Sequence, residues 1–323
     1  MAYIGVFCGG FSSEYDISVK SAKNIKKNIP SDYTGVLVFV NKEEWFVEIS
    51  GKKTPFNKND CSFIINGNKK NLHAAIVYVH GDPGENGKIQ AFLEINNVPY
   101  INSGPLASAL SFDKWFCNEF LRGFNIPVAK AVLIKKGEDY DIKQIIRRLN
   151  LPLFVKPTDS GSSYGISKVL KEKDLDQAIN NAFQEGKTVL LESFLDGKEI
   201  TCAVYKGKKG LTTLPLTEIY TENDFFDFDA KYNGNSKEIT PARITNEEKK
   251  KTEELSKKIY SLLQLRSISR IDYMLVNNEP IVIEVNTTPG FSNESIIPKM
   301  LKTKGLSQAD FWKEIFSVEL KKD

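Results

Sequence analysis

An uncharged apolar run, Tyr3–Cys8, stops at Gly9-Gly10, and an amphipathic stretch, Ser18–Ile29, separates it from the next apolar run, Gly35–Val40. The alternation returns in Ala74–Val79, Lys88–Asn96 and Val98–Ile101, which read as strand, helix and strand. A chain patterned this way buries its strands in a parallel sheet with helices on the faces. Glycines directly after a strand place a loop at the carboxyl edge of that sheet, where ligands bind in open α/β folds. The stretch Asn57–Lys70, rich in Asn, Lys and Gly, is expected to be an exposed loop.

At 323 residues and 41% hydrophobic content the chain has material for two or three packed units. The pattern divides it into an α/β unit over 1–102, a second unit over 103–191 and a third, α+β in character, over 192–323. In the second, a helix over Ser108–Phe124 is followed by strand Ala129–Ile134, helix Tyr140–Leu149, strands Leu153–Lys156 and Ile166–Val169, and helix Glu172–Phe183. In the third, strands Ile200–Tyr205 and Leu211–Ile219 lead to an irregular stretch and then to Thr245-x-x-Glu248, a capping box that opens another helix. Forty-four basic against forty-one acidic side chains leave a formal charge of +3, which gives no bulk attraction to nucleic acid or a membrane surface. Four scattered cysteines and two histidines supply neither a disulfide framework nor a zinc site. No run approaches the ~20 apolar residues of a membrane span, so a soluble, cytoplasmic protein is expected.

Chemistry concentrates in two β-rich runs, Ile268–Val276 and Pro280–Asn286, around Asn277-Asn278-Glu279. A hairpin centred on Asn278 sets Asp272 opposite Glu284 and Arg270 opposite Asn286. Strand alternation then puts these four on one face, and Ile271, Tyr273, Leu275, Ile281, Ile283 and Val285 on the other. Opposed carboxylates repel. Either a hard divalent cation such as Mg2+ joins them through oxygen ligands, or Arg270 neutralises both on a solvated polar face. Three loops add to this. Thr158–Gly165, after Phe154-Val155-Lys156-Pro157, has the glycines and hydroxyls to wrap phosphate beside a lysine, or to be a plain hairpin loop. Asn223–Tyr232 interleaves Phe225, Phe226 and Phe228 with aspartates, as a packed loop or a water-excluding lid would. Pro289–Ser295 allows close backbone approach at Gly290 before a helix start, which is an anion site or a simple cap.

In chain order the motifs are Gly9-Gly10-Phe11-Ser12-Ser13-Glu14, His80-Gly81-x-x-Gly84-Glu85, Asp113-Lys114, Phe154-Val155-Lys156-Pro157, and Gly161-Ser162-Ser163-x-Gly165. Gly197-x-Glu199, Ala230-Lys231-Tyr232, Arg270-x-Asp272 and Glu284-Val285-Asn286-Thr287-x-Pro289-Gly290-Phe291 complete the series. Together they resemble, nearly end to end, the D-alanine–D-alanine ligases of the ATP-grasp superfamily. The resemblance implies a three-domain ATP-grasp architecture. It also implies a two-step reaction for peptidoglycan synthesis, in which ATP converts one D-alanine to an acyl phosphate that the amine of a second attacks.

By that resemblance Lys114, Lys156 and Lys231 contact ATP phosphates, with Ser163 in the glycine-rich loop. Glu192 and Leu195 line the adenine pocket and Glu199 holds the ribose. Asp272, Glu284 and Asn286 carry two Mg2+ (or Mn2+) ions, while Arg270 and the Gly290 amide form the oxyanion site. Glu14 takes the first ammonium, Ser295 and the Ile296 amide hold the second carboxylate, and His80 lies near the acceptor. Glu14, Ser162 and Tyr232 form a trio that orients substrates and fastens the lid. The chain departs from the family pattern at Tyr15, where many members have His, at Asn86, where Asp is usual, and at Ser193, in place of a common Lys. Tyr232 favours D-alanine over D-lactate as acceptor, since depsipeptide ligases resembling this family tend to lack that tyrosine. A ligase for another amino acid and a non-catalytic nucleotide-binding regulator are the alternatives. The expected partners are D-alanine, ATP and a second copy of the chain.

Overall fold

The computed structural model describes residues 2–49, 51–159, 165–221 and 236–320. The first sheet is built from β1 (Ala2–Gly9), β2 (Tyr33–Val40), β3 (Trp45–Ile49), β4 (Lys52–Pro55), β5 (Ser62–Ile65), β6 (Asn68–Val77) and β7 (Tyr100–Ile101). Its order is β4-β3-β2-β1-β6-β5, with β7 also on β6. The strands β2, β1, β6 and β7 are parallel, as the alternation requires, while β3, β4 and β5 add antiparallel edges. Helices α1 (Tyr15–Lys27) and α2 (Lys88–Ile95) supply the crossovers. The expected loop over 57–70 is therefore mostly a hairpin. Asn66 and Gly67 both take positive φ, 49° and 76°, a tight turn suited to the twist of paired strands. Phe63, 1% exposed, anchors β5 to the core.

The helix read over 108–124 is two helices, α3 (Pro105–Phe112) and α4 (Lys114–Gly123). Asp113 breaks the run: its backbone is extended (φ −83°, ψ 111°) and its carboxylate accepts from the Phe116 amide as an N-cap. The second sheet has the order β10-β9-β11-β8, from β8 (Ala131–Lys135), β9 (Leu153–Pro157), β10 (Ser167–Val169) and β11 (Thr188–Ser193). Helices α5 (Ile142–Leu149) and α6 (Leu175–Glu185) cover one face through Ile145, Leu149, Ile179 and Ala182. Phe154, Lys156, Leu190 and Glu192 occupy the other face by strand alternation.

The third sheet runs β15-β14-β12-β16-β17, with β13 on β12. Its strands are β12 (Lys198–Gly207), β13 (Gly210–Thr213), β14 (Thr217–Thr221), β15 (Ser236–Ile239), β16 (Ile268–Val276) and β17 (Glu279–Asn286). The single strand read over 211–219 is divided into β13 and β14 around Pro215, which has no N–H for a ladder. Helix α7 (Asn246–Leu262), opened by the Thr245/Glu248 capping box, packs on one face through Ile259 and Tyr260. Helices α8 (Ile296–Thr303) and α9 (Gln308–Glu319) end the described chain and return to the first sheet. Trp312 and Phe311 share a core with Ile4, Val6, Leu37 and Ile76.

The β16–β17 hairpin has the expected pairs, Asp272 with Glu284 and Arg270 with Asn286, but reaches them by another route. The turn holds two residues, Asn277 and Asn278, at φ 50° and 66°. Val276 accordingly pairs with Glu279, and a β-bulge next to Asp272 restores the register. The bulge shifts the apolar face: Val282 (1% exposed) packs with Tyr273, whereas Ile281 and Ile283 stay half-buried outside that core.

Candidate active site

The uncovered faces of the second and third sheets enclose a cavity of about 630 Å³. Lys114, Lys156, Glu192, Leu195, Glu199, Arg270, Asp272, Glu284 and Ile296 all line it, and Asn286 adjoins it through a hydrogen bond to Asp272. Lys114 is the first residue of α4, and its backbone amide donates to the Thr158 carbonyl at 2.9 Å. Its ammonium lies 3.8 Å from Glu284 Oε2. Lys156 forms a buried ion pair with Glu192, whose Oε1 accepts from Asn118 Nδ2 at 2.9 Å. Phe154, Met274 and Ile283 give the cavity apolar walls suited to a planar base.

Asp272 accepts from Arg270 Nε at 2.8 Å and Nη2 at 2.7 Å, from Thr201 Oγ1 at 2.5 Å and from Asn286 Nδ2 at 3.0 Å. Arg270 thus neutralises Asp272 directly, and Lys114 faces Glu284. Burial works against the Arg270 charge; Asp272 more than offsets it and holds the guanidinium above its ordinary value. No group of three or more His, Cys, Asp or Glu side chains suited to a metal occurs among the described residues. Asn286, whose Nδ2 donates to Asp272, offers an amide oxygen beside the two carboxylates. Two carboxylates and an amide oxygen, without thiolate or imidazole, fit Mg2+ or Mn2+.

The loops after β1 and β6 bring Glu14, His80 and Glu85 within electrostatic reach of one another and of Arg270, Glu284 and Lys114. Glu14 sits at the N-terminus of α1. Ser12 Oγ donates to the His80 carbonyl at 2.9 Å, joining the first loop to the loop after β6. His80 is 5% exposed, and its Nε2 has no hydrogen-bond partner among the described residues. Burial holds the imidazole below its ordinary value; Glu14 opposes this and Arg270 reinforces it. Glu85 accepts from the Gly81 amide at 2.8 Å. Burial first, and then the charge of Glu14, push its carboxyl up to about 8. Gly84 is required sterically, since a Cβ there would lie 2.0 Å from the Val79 carbonyl oxygen. Gly197 is constrained in the same way, at 2.1 Å from the Leu275 carbonyl oxygen. These two motif glycines thus serve close packing. Gly290 adjoins Ser295, whose Oγ accepts from the Ser292 amide at 3.0 Å just before α8.

Ser162, Ser163, Lys231 and Tyr232 lie outside the described residues. Thr201, Asn118, Thr158 and Glu85 join the site without having been singled out as contacts. Thr201 had a signal in the sequence, since it follows Glu199 at the strand period of two. Asn118 had none. Of the departures, Asn86 donates to Asp82 Oδ1 at 2.6 Å, where an aspartate would repel, and Ser193 ends β11 with its amide on the Lys130 carbonyl.

The "D-ala D-ala ligase N-terminus" family matches residues 3–103, and the "D-ala D-ala ligase C-terminus" family matches residues 120–317. A D-alanine–D-alanine ligase of Parabacteroides distasonis is 42% identical over 98% of this chain and 97% of its own length. Among solved structures, the VanG D-Ala:D-Ser ligase of Enterococcus faecalis superposes with a TM-score of 0.88 at 31% identity, covering 98% of this chain and 99% of that one. The D-alanine–D-alanine ligase of Bacillus anthracis, solved in complex with ATP, gives 0.80 at 27% identity, over 99% and 98%. Architecture and relatives agree on the class: an ATP-grasp ligase, which uses ATP to form a carbon–nitrogen bond. Within that class the chain belongs to the D-alanine–D-alanine ligase family.

Proposed function

We propose that the chain joins two D-alanine molecules for peptidoglycan precursors, with ATP bound between the second and third sheets. The observation that carries this reading is the single cavity in which Lys114 and Lys156 face Asp272 and Glu284, in a chain matched over its length by D-alanine–D-alanine ligases. Phosphoryl transfer chiefly needs alignment and charge neutralisation. Lys114 and Lys156 would hold the phosphates, with Lys231 and Ser163 contributing from outside the described residues. Glu192 and Leu195 would fix the base, and Glu199 the ribose. Glu14 would hold the first ammonium, so that its carboxylate faces the terminal phosphate. Arg270 and the Gly290 amide would stabilise the tetrahedral oxyanion, while Ser295 and the Ile296 amide anchor the second carboxylate. His80 would lie near the acceptor, where burial disfavours its charged form. Two Mg2+ or Mn2+ ions on Asp272, Glu284 and Asn286 would neutralise the phosphate oxygens. Ser162 and Tyr232 would close the site with Glu14.

The three sheets support a division into units 1–102, 103–191 and 192–323. A homodimer is what the family resemblance implies. No described helix is long and apolar enough to cross a membrane; the use of ATP would suit a cytoplasmic reaction. The test is phosphate release from ATP and Mg2+ with D-alanine alone, with D-alanine plus D-lactate, and with D-alanine plus D-serine. Release with D-alanine alone is expected. Release only with a second acceptor would move the chain to another specificity, and nucleotide binding without ADP formation would make it a regulator.

A further inference from the structure

The buried face of α1 carries three polar side chains, Ser18, Ser21 and Asn24, at a spacing of three that sets them in one row. Buried polar groups are costly unless satisfied, and each of these has a specific partner. Ser18 ties β1 to the chain after β6: it accepts from the Gly9 amide at 2.8 Å and donates to the Tyr78 carbonyl at 2.7 Å. Ser21 and Asn24 both go to one distant residue. The Phe291 amide donates to Ser21 Oγ at 3.1 Å, and Asn24 Nδ2 donates to the Phe291 carbonyl at 2.8 Å. The second Asn24 N–H donates to Gln308 Oε1 of α9 at 2.7 Å.

Phe291 follows Gly290 and precedes the Ser292–Ser295 turn. Its N–H belongs to the peptide that also contains the Gly290 carbonyl. Its C=O belongs to the peptide whose N–H, that of Ser292, donates to Ser295 Oγ at 3.0 Å. Both peptide planes are therefore pinned, and the Phe291 ring is locked against Trp312 and Phe311, with centroids 5.1 Å and 5.8 Å away. The same rigid helix carries Glu14 at its N-terminus, about 10 Å along the axis from Ser21 at 1.5 Å per residue.

We propose that Ser21 and Asn24 are positioning residues that fix the spacing between the two amino-acid subsites, by clamping the Gly290–Ser295 loop to the helix that holds Glu14. This rests on the assignment of Glu14, Gly290 and Ser295 in the proposed reaction. Neither clamp residue touches substrate; each acts through the backbone of Phe291. Loosening the clamp separates the first ammonium from the second carboxylate and reaches the nucleotide cavity only through Ile296, since its other lining residues stand on other elements.

The experiment compares wild type with Ser21→Ala, Asn24→Ala, Gln308→Leu and the conservative Ser21→Thr, reading KM for each D-alanine subsite, KM for ATP, kcat and Tm. Asn24→Ala is expected to raise the acceptor KM about tenfold and lower kcat, with KM for ATP within about twofold. Ser21→Ala and Gln308→Leu shift the acceptor KM the same way by about threefold, and Ser21→Thr, which keeps the hydroxyl, restores it. Gln308→Leu, on the half-buried face of α9, keeps the test decisive if Asn24→Ala fails to fold. Folded variants with a lower Tm and unchanged D-alanine KM values would reduce the clamp to a structural contact. Wild-type protein inactive on D-alanine would overturn the underlying reaction, and the clamp's role with it.

Discussion

Asp272 and Glu284 lie opposite each other on paired strands, yet their surroundings differ. Both oxygens of Asp272 are held by Arg270, with Thr201 and Asn286 adding one bond each, whereas Glu284 faces Lys114 at 3.8 Å. Glu284→Gln keeps the shape and removes only the charge; turnover should fall at least about a hundredfold with Tm nearly unchanged. Normal turnover in that variant would sink the metal assignment. Glu85 gives a pH signature. Its carboxyl, moved from 4.5 to about 8, keeps its proton in the folded chain and loses it in the unfolded one between those values. The unfolded state then binds fewer protons, so this group's contribution to stability is lost as pH rises from about 4.5 through about 8. In thermal melts without nucleotide, Glu85→Gln should exceed wild type by roughly 2–5 °C near pH 9 and match it near pH 5. A constant offset across that range would show that the carboxyl does not titrate there.

The bulge in β17 separates two roles that simple alternation merges. It sets Ile283 and Glu284 on the cavity side together, giving the carboxylate an apolar neighbour. Ile283→Ala should therefore raise KM for ATP about three- to tenfold while costing only ~1 kcal/mol of stability. A core isoleucine, as strict alternation would make it, would cost about 2–5 kcal/mol and leave KM for ATP alone; steady-state kinetics beside urea melts separate the two outcomes. The hairpin's pairing was legible because Asp272, Glu284 and the asparagine turn all lie within a short stretch of chain. The bulge was not, because a shorter turn and an extra strand residue cancel at the site and leave only the far end shifted. Asp113 was ambiguous for another reason: the apolar spacing of α3 runs on into α4, so an aspartate between them reads as an exposed helix position. The edge strand β4 escaped because its lysines, Lys52 and Lys53, which blunt a sheet edge, also mark loops. The nucleotide wall was legible residue by residue, whereas partners such as Asn118, remote in sequence from Glu192, are set by tertiary packing alone.

Over the whole molecule, the site depends on a core that joins the two ends of the chain. Ile4, Val6, Leu37 and Ile76 of the first sheet pack with Ile297, Leu301, Phe311 and Trp312 of α8 and α9. The second sheet has its own core with α5 and α6. Elements that share a core open together, and separate cores open separately. Trp312 is fully buried and meets Tyr78 and Phe311 edge to face and Phe291 at a tilt. Trp312→Ala should cost about 3–5 kcal/mol, and its effect should not stay in α9. Amide exchange is expected to quicken in β1 and β6, more than two hundred residues earlier in the chain, as much as in α8, while β9 and β11 keep their protection. Faster exchange confined to α8 and α9 would mean that the C-terminal helices are an appendage. The Gly290–Ser295 loop would then be held by its own sheet alone, without the first sheet that carries Glu14.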